Sequence, residues 1–497
     1  MSMTRRNFLS RGLVATAAVG AVGAPAYASQ PGLVQGQKVP VEEYDVVVLG
    51  AGCAGMSCAL QAALNGGKVV VLDKMSRPAG NTIFAGGHFN ATDTFVQKRD
   101  GLTDTKEEFF KDMMAVSQGR GDPELTQLYV DKSGEVIQWL TDKVGIKWRK
   151  MVKEVWPATT RGHVVDGKLK PGGAQLSKQL VDACKKAGVK FVFNAKVVEL
   201  LSTPTLSCLG ARTISEDDGV VDYLGKGGVL LATGGFHANK EMLCKYMGGM
   251  AAWMPIRGSS VNTGENISLV KPFFPQYVNM DQFHAGPIHG PTRANPSTMV
   301  NYGVLVRNDG KRFIDEVSTY VRVAQQMPKL IASNWANIII DSQVADIDTV
   351  ATRIERYKRA KAPVYQADKL EDAIRLAGLP VEETMKTINE YNAAVKAGKA
   401  AELTPPNTLE KPRLIEKGPF MIFPFQGGMT ATFGGPRINR RAQVLNTENK
   451  PIPGLYAAGN AIGGIFYDDY IVGSQLTAAV IFGRIAADEM MARCKKA

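Results

Sequence analysis

Residues 459–480 read GNAIGGIFYDDYIVGSQLTAAV, and they set two phenols and two carboxylates beside a glycine-rich turn: Tyr467, Asp468, Asp469 and Tyr470, with Phe466 in front. A phenol has a pKa of ~10, so at neutral pH it donates a proton or a hydrogen bond rather than abstracting one. At a carbonyl oxygen such a donor stabilises the negative charge that builds when a conjugated double bond is reduced. Asp468 and Asp469 either solvate the rim of such a site or orient its phenols.

Chemistry of this kind needs a redox cofactor, and the start of the chain carries a motif for one. Tyr44–Leu49 is a β-branched run with the pattern of a buried parallel strand; Met56–Asn65 is helical; Lys68–Asp73 is the next strand. At the first turn stands Gly50-x-Gly52-x-x-Gly55. Gly50 permits the tight turn, Gly52 lets backbone approach a pyrophosphate, and Gly55 lets helix and strand pack closely. Asp73, closing the second strand, can accept from a ribose hydroxyl. Three further signals point to FAD rather than a nicotinamide. Gly80-Asn81-Thr82 and Gly86-Gly87 form a second glycine-rich loop. Val229–Phe236, which includes Thr233 and Gly234, and Pro453–Asn460, which ends in Gly459 and Asn460, are strands running into turns.

The elements that must position these residues therefore come from both ends of the chain. The expectation is an α/β fold: a discontinuous Rossmann-like FAD-binding domain over 41–283 and 432–497, with an α+β capping domain inserted at 284–431. The insert shows strands at Gly303–Arg307 and Ile338–Asp341, a turn at Asn308-Asp309-Gly310, and charged helices from Ile354 to Lys396.

Composition is that of a soluble enzyme, 45% hydrophobic and 21% charged. Leu13–Ala26 is too short to span a bilayer. It follows Thr4-Arg5-Arg6-Asn7-Phe8-Leu9 and ends in Ala26-Tyr27-Ala28, so residues 1–28 are predicted to be a twin-arginine signal peptide, with a leader over 29–40. A periplasmic location follows. The net charge is +12, and a basic surface guides an anionic substrate or an acidic electron carrier. No basic-aromatic module suggests nucleic acid. Cys53, Cys58, Cys184, Cys208, Cys244 and Cys494 form no Cys-x-x-Cys, so neither metal nor haem is expected.

Taken together, the glycine motif, Ala232-Thr233-Gly234-Gly235-Phe236, Asn262-Thr263-Gly264-Glu265, Gln282-Phe283-His284, Gly310-Lys311-Arg312-Phe313-x-x-Glu316 and Pro453–Gly459 resemble the flavoprotein family of soluble fumarate reductases, urocanate reductases and 3-ketosteroid dehydrogenases. The resemblance covers nearly the whole mature chain. It implies FAD, a mobile cap, and redox chemistry at a carbon–carbon bond. It also extends the cofactor contacts to Ala54, Lys74, Val197, Gln475 and Leu476. Asn81 stands where membrane-bound relatives attach FAD to a histidine, so non-covalent flavin is expected.

The substrate positions depart from the fumarate reductases. Tyr320 and Tyr470 stand where those enzymes have arginines, and Ala431 where they have a histidine; only His284 matches. A dicarboxylate loses most of its partners here, and burying its charge unpaired is costly. The same changes resemble the ketosteroid dehydrogenases, in which one tyrosine exchanges the proton while a second tyrosine and a glycine N–H grip the carbonyl. Tyr320 matches the first; Tyr470 with Gly473 matches the second. Arg322 is the alternative proton donor, Tyr467 a further candidate, and His284 either structural or substrate-binding. The expected activity is reduction of an enone, steroid-like substrate or aryl enoate, with a separate cytochrome c or other carrier supplying electrons. The alternatives are a 3-ketosteroid-type dehydrogenase running the other way, a fumarate- or urocanate-like carboxylate reductase using Arg322 as acid, and an electron-transfer subunit without catalysis.

Overall fold

The structure is a computed structural model that describes residues 39–153 and 160–496; the signal segment 1–28 and the leader up to residue 38 lie outside the described residues. β1 (Val41–Leu49) is followed by α1 (Cys53–Leu64) and β2 (Val69–Leu72); β1 and α1 each start three residues before the expected spans, and the other ends agree to within one residue. β2 is Val-Val-Val-Leu, buried throughout, because a parallel strand is covered on both faces. β1 pairs with β2 in register from Val46↔Val69 to Leu49↔Leu72. α2 (Gly172–Lys186) then leads to β3 (Lys190–Val192), which adds to β2. A hairpin of β4 (Lys196–Ser202) and β5 (Cys208–Ser215) runs into the long strand β6 (Gly219–Leu231), which returns beside β1.

A second sheet occupies the middle of the chain. It contains β7 (Phe283–Ile288), β8 (Val304–Arg307), β9 (Trp335–Ile340), β10 (Tyr365–Ala367) and β11 (Phe420–Thr432), all antiparallel, in the order β7-β11-β9-β8 with β10 also on β11. Phe283 pairs with Thr432 and His284 with Ala431. α3 (Tyr320–Leu330) lies on β7 and β11; a Cβ on Gly427 of β11 would come within 2.2 Å of the Ala324 carbonyl of α3. A separate apolar core of Ile338, Ile339, Ile340, Phe423 and Phe425 fills this sheet's other contacts.

The chain then re-enters the first sheet. β12 (Gln443–Leu445) and β13 (Pro451–Ala457) extend it to the order β12-β13-β6-β1-β2-β3, with β13 parallel to β6. The last helix, α4 (Ser474–Cys494), packs on α1 and buries Val480, Ile481 and Phe482. Strands from the two ends of the chain thus share one sheet, and β1, carrying the glycine turn, sits inside it. Among the described residues no helix is long and apolar enough to cross a membrane. Cys53, Cys58, Cys184 and Cys208 are buried free thiols, Cys494 is half-buried and Cys244 exposed.

Candidate active site

A cleft with about 1100 Å³ of empty space runs along the carboxyl ends of the parallel strands. Gly50, Gly52 and Ala54 of the β1–α1 turn line it. α1 has no side-chain cap at its N-terminus; its Cys53 N–H is taken by Thr82 Oγ1 at 2.9 Å. The remaining amides of such an uncapped turn, with the helix dipole, suit a phosphate. A Cβ on Gly52 would stand in the cleft with only Thr82 Oγ1, at 3.8 Å, for a neighbour. Gly55 lies behind the wall: a Cβ there would come within 2.0 Å of the Gly50 carbonyl.

Asp73 and Lys74 line the same cleft at the end of β2. The Asp73 carboxylate accepts the Ala51 N–H at 2.8 Å and the Met75 N–H at 2.9 Å. Burial raises its pKa despite those two amides. Lys74 pairs with Glu265 and donates to Thr263 Oγ1 at 2.8 Å. Burial alone would raise the Glu265 carboxyl, but Lys74 and Thr263 outweigh it and hold the pKa low.

Gly80, Asn81, Thr82, Val197, Thr233, Gly234, Gly459, Asn460, Gln475 and Leu476 complete the wall. Gly86 and Gly87, expected in the cofactor loop, are not on it. The chain turns away after Ala85, so that Gly87, at φ +79°, packs on Gly172 at the start of α2, and a Cβ on Gly86 would press on the His88 ring. Asn81 is held at both ends of its amide: Nδ2 donates to the Thr430 carbonyl of β11 at 2.9 Å, and Oδ1 accepts the Ser259 N–H at 2.7 Å.

FAD fits this cleft on an observation independent of the motif. Thr233 Oγ1, Asn262 Oδ1, Glu265 Oε2 and Gln475 Nε2 are buried without a hydrogen-bond partner, and all four residues line the cleft. Each such atom costs ~1–3 kcal/mol, and the phosphates, ribose and ring of a dinucleotide supply what they lack.

The phenols gather around His284, which is 4% exposed and has no partner for either ring nitrogen. Its ring centroid lies 4.5 Å from that of Tyr470 and 6.2 Å from that of Tyr320, and it stacks on Phe433 at 6.5 Å. Burial, reinforced by Arg257, pushes the imidazole pKa well below its usual range, so it is neutral at pH 7. Burial and the neighbouring Tyr320 push the Tyr470 phenol well above its usual value. Tyr320 is the first residue of α3, presented there because Thr319 caps the helix by accepting the Arg322 N–H at 3.2 Å. Gln475, on the cleft wall, lies against His284 and so joins the two halves of the site. Gly473, at φ +99°, is the N-cap of α4 and packs on the His88–Asn90 backbone.

Two expected residues do not join this cluster. Tyr467 is bonded through its hydroxyl to Arg120, whose guanidinium carbon stands 4.1 Å over its ring. Arg322 is engaged by Asp468, with Nη2 2.9 Å from Oδ2, and its side chain is 38% exposed. Both belong to a charged rim, since a guanidinium with a carboxylate at hand in water has no reason to enter an apolar cluster.

Conversely, Arg257 was not legible from any motif. Its guanidinium carbon stands 5.9 Å from the Tyr320 ring centroid, Nη1 donates to Thr430 Oγ1 at 3.1 Å, and its buried Nε has no partner. It reaches this place across Gly286, where a Cβ would come within 2.6 Å of the guanidinium carbon. The glycine in β7 was the one available trace of it.

A parallel sheet with a dinucleotide cleft at its strand ends, facing a neutral histidine and two phenols, defines a flavin-dependent oxidoreductase. Residues 45–468 match the protein family described as FAD binding domain. The chain is 30% identical over 460 residues to the Shewanella frigidimarina (strain NCIMB 400) protein named "Probable fumarate reductase Ifc3", covering 90% of this chain and 75% of that one. The open conformation of a flavocytochrome c3 fumarate reductase has a TM-score of 0.79 and 29% identity, covering 92% of this chain and 79% of that one. The 3-ketosteroid-Δ4-(5α)-dehydrogenase of Rhodococcus jostii RHA1, in complex with 4-androstene-3,17-dione, has a TM-score of 0.75 and 26% identity, covering 92% and 98%. The chain belongs to this family of FAD-binding flavoproteins, and it is an oxidoreductase acting on CH–CH groups with FAD as cofactor.

Proposed function

We propose that the protein is a periplasmic reductase of a carbon–carbon double bond conjugated to a carbonyl, in an enone, a steroid-like substrate or an aryl enoate. The observation that carries this is the meeting of Tyr320 and Tyr470 at His284, 6.2 and 4.5 Å between ring centroids, beside the cleft-lining Gln475. FAD, bound non-covalently, supplies the hydride. Tyr320 delivers the proton to the α-carbon. Tyr470, with the Gly473 N–H, donates to the carbonyl oxygen as charge develops there.

Protonation states support the reductive direction. The Tyr470 phenol is held in its neutral form by burial, so it is a hydrogen-bond donor throughout the physiological range. His284 is not a ready base, because it is buried and the neighbouring Arg257 further disfavours a proton on it. Arg257 instead favours negative charge at the site, both on the substrate oxygen and on the phenolate that Tyr320 leaves behind. The segment 284–431 acts as the cap that carries Tyr320 and His284. A cytochrome c or comparable carrier supplies electrons.

The test is turnover of the FAD-loaded enzyme with dithionite-reduced methyl viologen against enones, aryl enoates and dicarboxylates. Fast oxidation of viologen by an enone or aryl enoate supports the proposal. Activity on fumarate alone overturns it, and activity only as ketone desaturation with an artificial acceptor reverses its direction.

A further inference from the structure

Tyr320 and Tyr470 come from elements far apart in sequence, and the phenols work only if both rings are held in register. The residue that touches the backbone or side chain beside each of them is Asp469. Its Oδ1 accepts the Tyr470 N–H at 2.7 Å, and its Oδ2 accepts the hydroxyl of Thr319, the residue before Tyr320. The carboxylate is 2% exposed. Thr319 is also the N-cap of α3, so the same hydroxyl that ends on Asp469 sets the first turn from which Tyr320 projects.

We propose that Asp469 is the positioning residue of the site, pinning Tyr470 through its own amide and Tyr320 through Thr319. This rests on the two-phenol function proposed above. The turn that presents Asp469 is itself tied down. Asp468 adopts φ +59°, its N–H donates to Gln282 Oε1 at 3.0 Å, and its carbonyl accepts from Gln325 of α3 at 2.5 Å. The charged groups facing the Asp469 carboxylate are Arg322, whose Nε is 4.0 Å away on α3, and Asp468 on its own turn. Tyr320 and Tyr470 are the titratable groups on either side. Arg120 is occupied by Tyr467 at the rim.

Two features separate positioning from mere packing. A buried carboxylate with a single nearby cation, itself shared with Asp468, is an expensive way to fill space. Burial raises its pKa to about 6, against the pull of Thr319, the Tyr470 amide and Arg322. Ionised, it accepts both donors; protonated, one oxygen becomes a donor and a grip is lost. The rate should therefore fall as the pH drops through about 6.

The experiment uses the full-length FAD-loaded protein, with reduced methyl viologen as donor and the best enone or aryl enoate of the panel. Asp469→Ala should lower kcat by ~10²-fold, the scale of a misplaced catalytic group, with KM and flavin content within about twofold of wild type. Thr319→Val should give a similar loss and Thr319→Ser should restore the rate. The double variant Asp469→Ala/Thr319→Val should be no slower than the worse single, because the two act as one unit. Asp469→Asn, which like the protonated acid accepts at one end only, should at pH 7 run at the reduced rate the wild type shows at low pH and should lack the decline near pH 6. Wild-type kcat in Asp469→Ala, additive losses in the double variant, or an acid limb unchanged in Asp469→Asn would overturn the proposal. If the wild type turns over no panel member, the proposed function fails on its own account. A crystal structure of Asp469→Ala then decides the positioning role: the two phenol rings should separate, and unmoved rings refute it.

Discussion

Asp469 and Tyr470 are neighbours in the chain, and burial moves both acids toward their protonated forms. For Asp469 this has a thermodynamic sign. Its folded pKa, about 6, lies above the ordinary carboxylate value of 3.8, so the folded state binds the proton more tightly than the unfolded chain between those values. Stability conferred by this group is present at low pH and is lost as pH rises toward 6, by roughly 2–3 kcal/mol at 1.36 kcal/mol per unit. Thermal melts of wild type and Asp469→Asn should therefore diverge in favour of the variant as pH rises from 4 to 7; parallel melting curves would contradict the shift. Arg322 is the opposite case, a half-exposed ion pair of small worth. Arg322→Gln should leave kcat within about fivefold, and loss of all activity would make it the proton donor instead. Tyr320, Tyr470 and His284 were legible because each sits beside a motif, whereas Arg257 lies between motifs and meets Tyr320 only through the fold.

Elements differ in how much of themselves they show in sequence. β1 and β2 were plain as short β-branched runs, and β8 and β9 likewise. β11, the longest strand of the second sheet, was not: Pro424 and the Gly427-Gly428 pair interrupt its apolar pattern. Those glycines are there for packing, under α3 at Gly427 and against Ile288 and Arg257 at Gly428. The charged stretch from Ile354 onward resolves into three helices, Asp348–Arg359, Leu370–Leu376 and Val381–Lys396, since turns at Lys361 and Gly378 break it. The β1–α1 unit offers a direct test. Gly55→Ala puts a methyl group 2.0 Å from the Gly50 carbonyl, and overpacking of this kind costs ~1–3 kcal/mol. Flavin content of the purified variant should drop with its melting temperature; full FAD loading would mean that close packing of α1 on β1 is not needed.

At the scale of the whole molecule, one cofactor cleft is built from both ends of the chain, with Gly50 near the start and Gln475 near the finish lining the same wall. This was legible because both ends carry strand-to-glycine turns. The division into a discontinuous FAD-binding part and a cap at 284–431 remains a proposal, supported by the separate antiparallel sheet and its own apolar core. Asn81, bonded at both ends to Ser259 and Thr430, offers no attachment chemistry. Acid precipitation should release the flavin into the supernatant, and yellow pellets would contradict non-covalent binding. Residues 1–28 lie outside the described residues, and their role is tested in the cell. Changing Arg5 and Arg6 to lysine should leave FAD-loaded precursor in the cytoplasm, while normal export of that variant would argue for the general secretory route.

The central claim is that two phenols, not two guanidiniums, carry the reaction, and kcat and KM of Tyr320→Phe and Tyr470→Phe test it most directly. Both changes keep ring volume and remove one hydroxyl. Tyr320→Phe should lower turnover ~10²–10⁴-fold, as expected for a lost general acid, with KM unchanged. Tyr470→Phe should lower it by up to ~10²–10³-fold, as for a lost oxyanion donor, and should also weaken binding of carbonyl compounds. Wild-type rates in both variants would contradict the two-phenol mechanism and the carbonyl-conjugated substrate class with it.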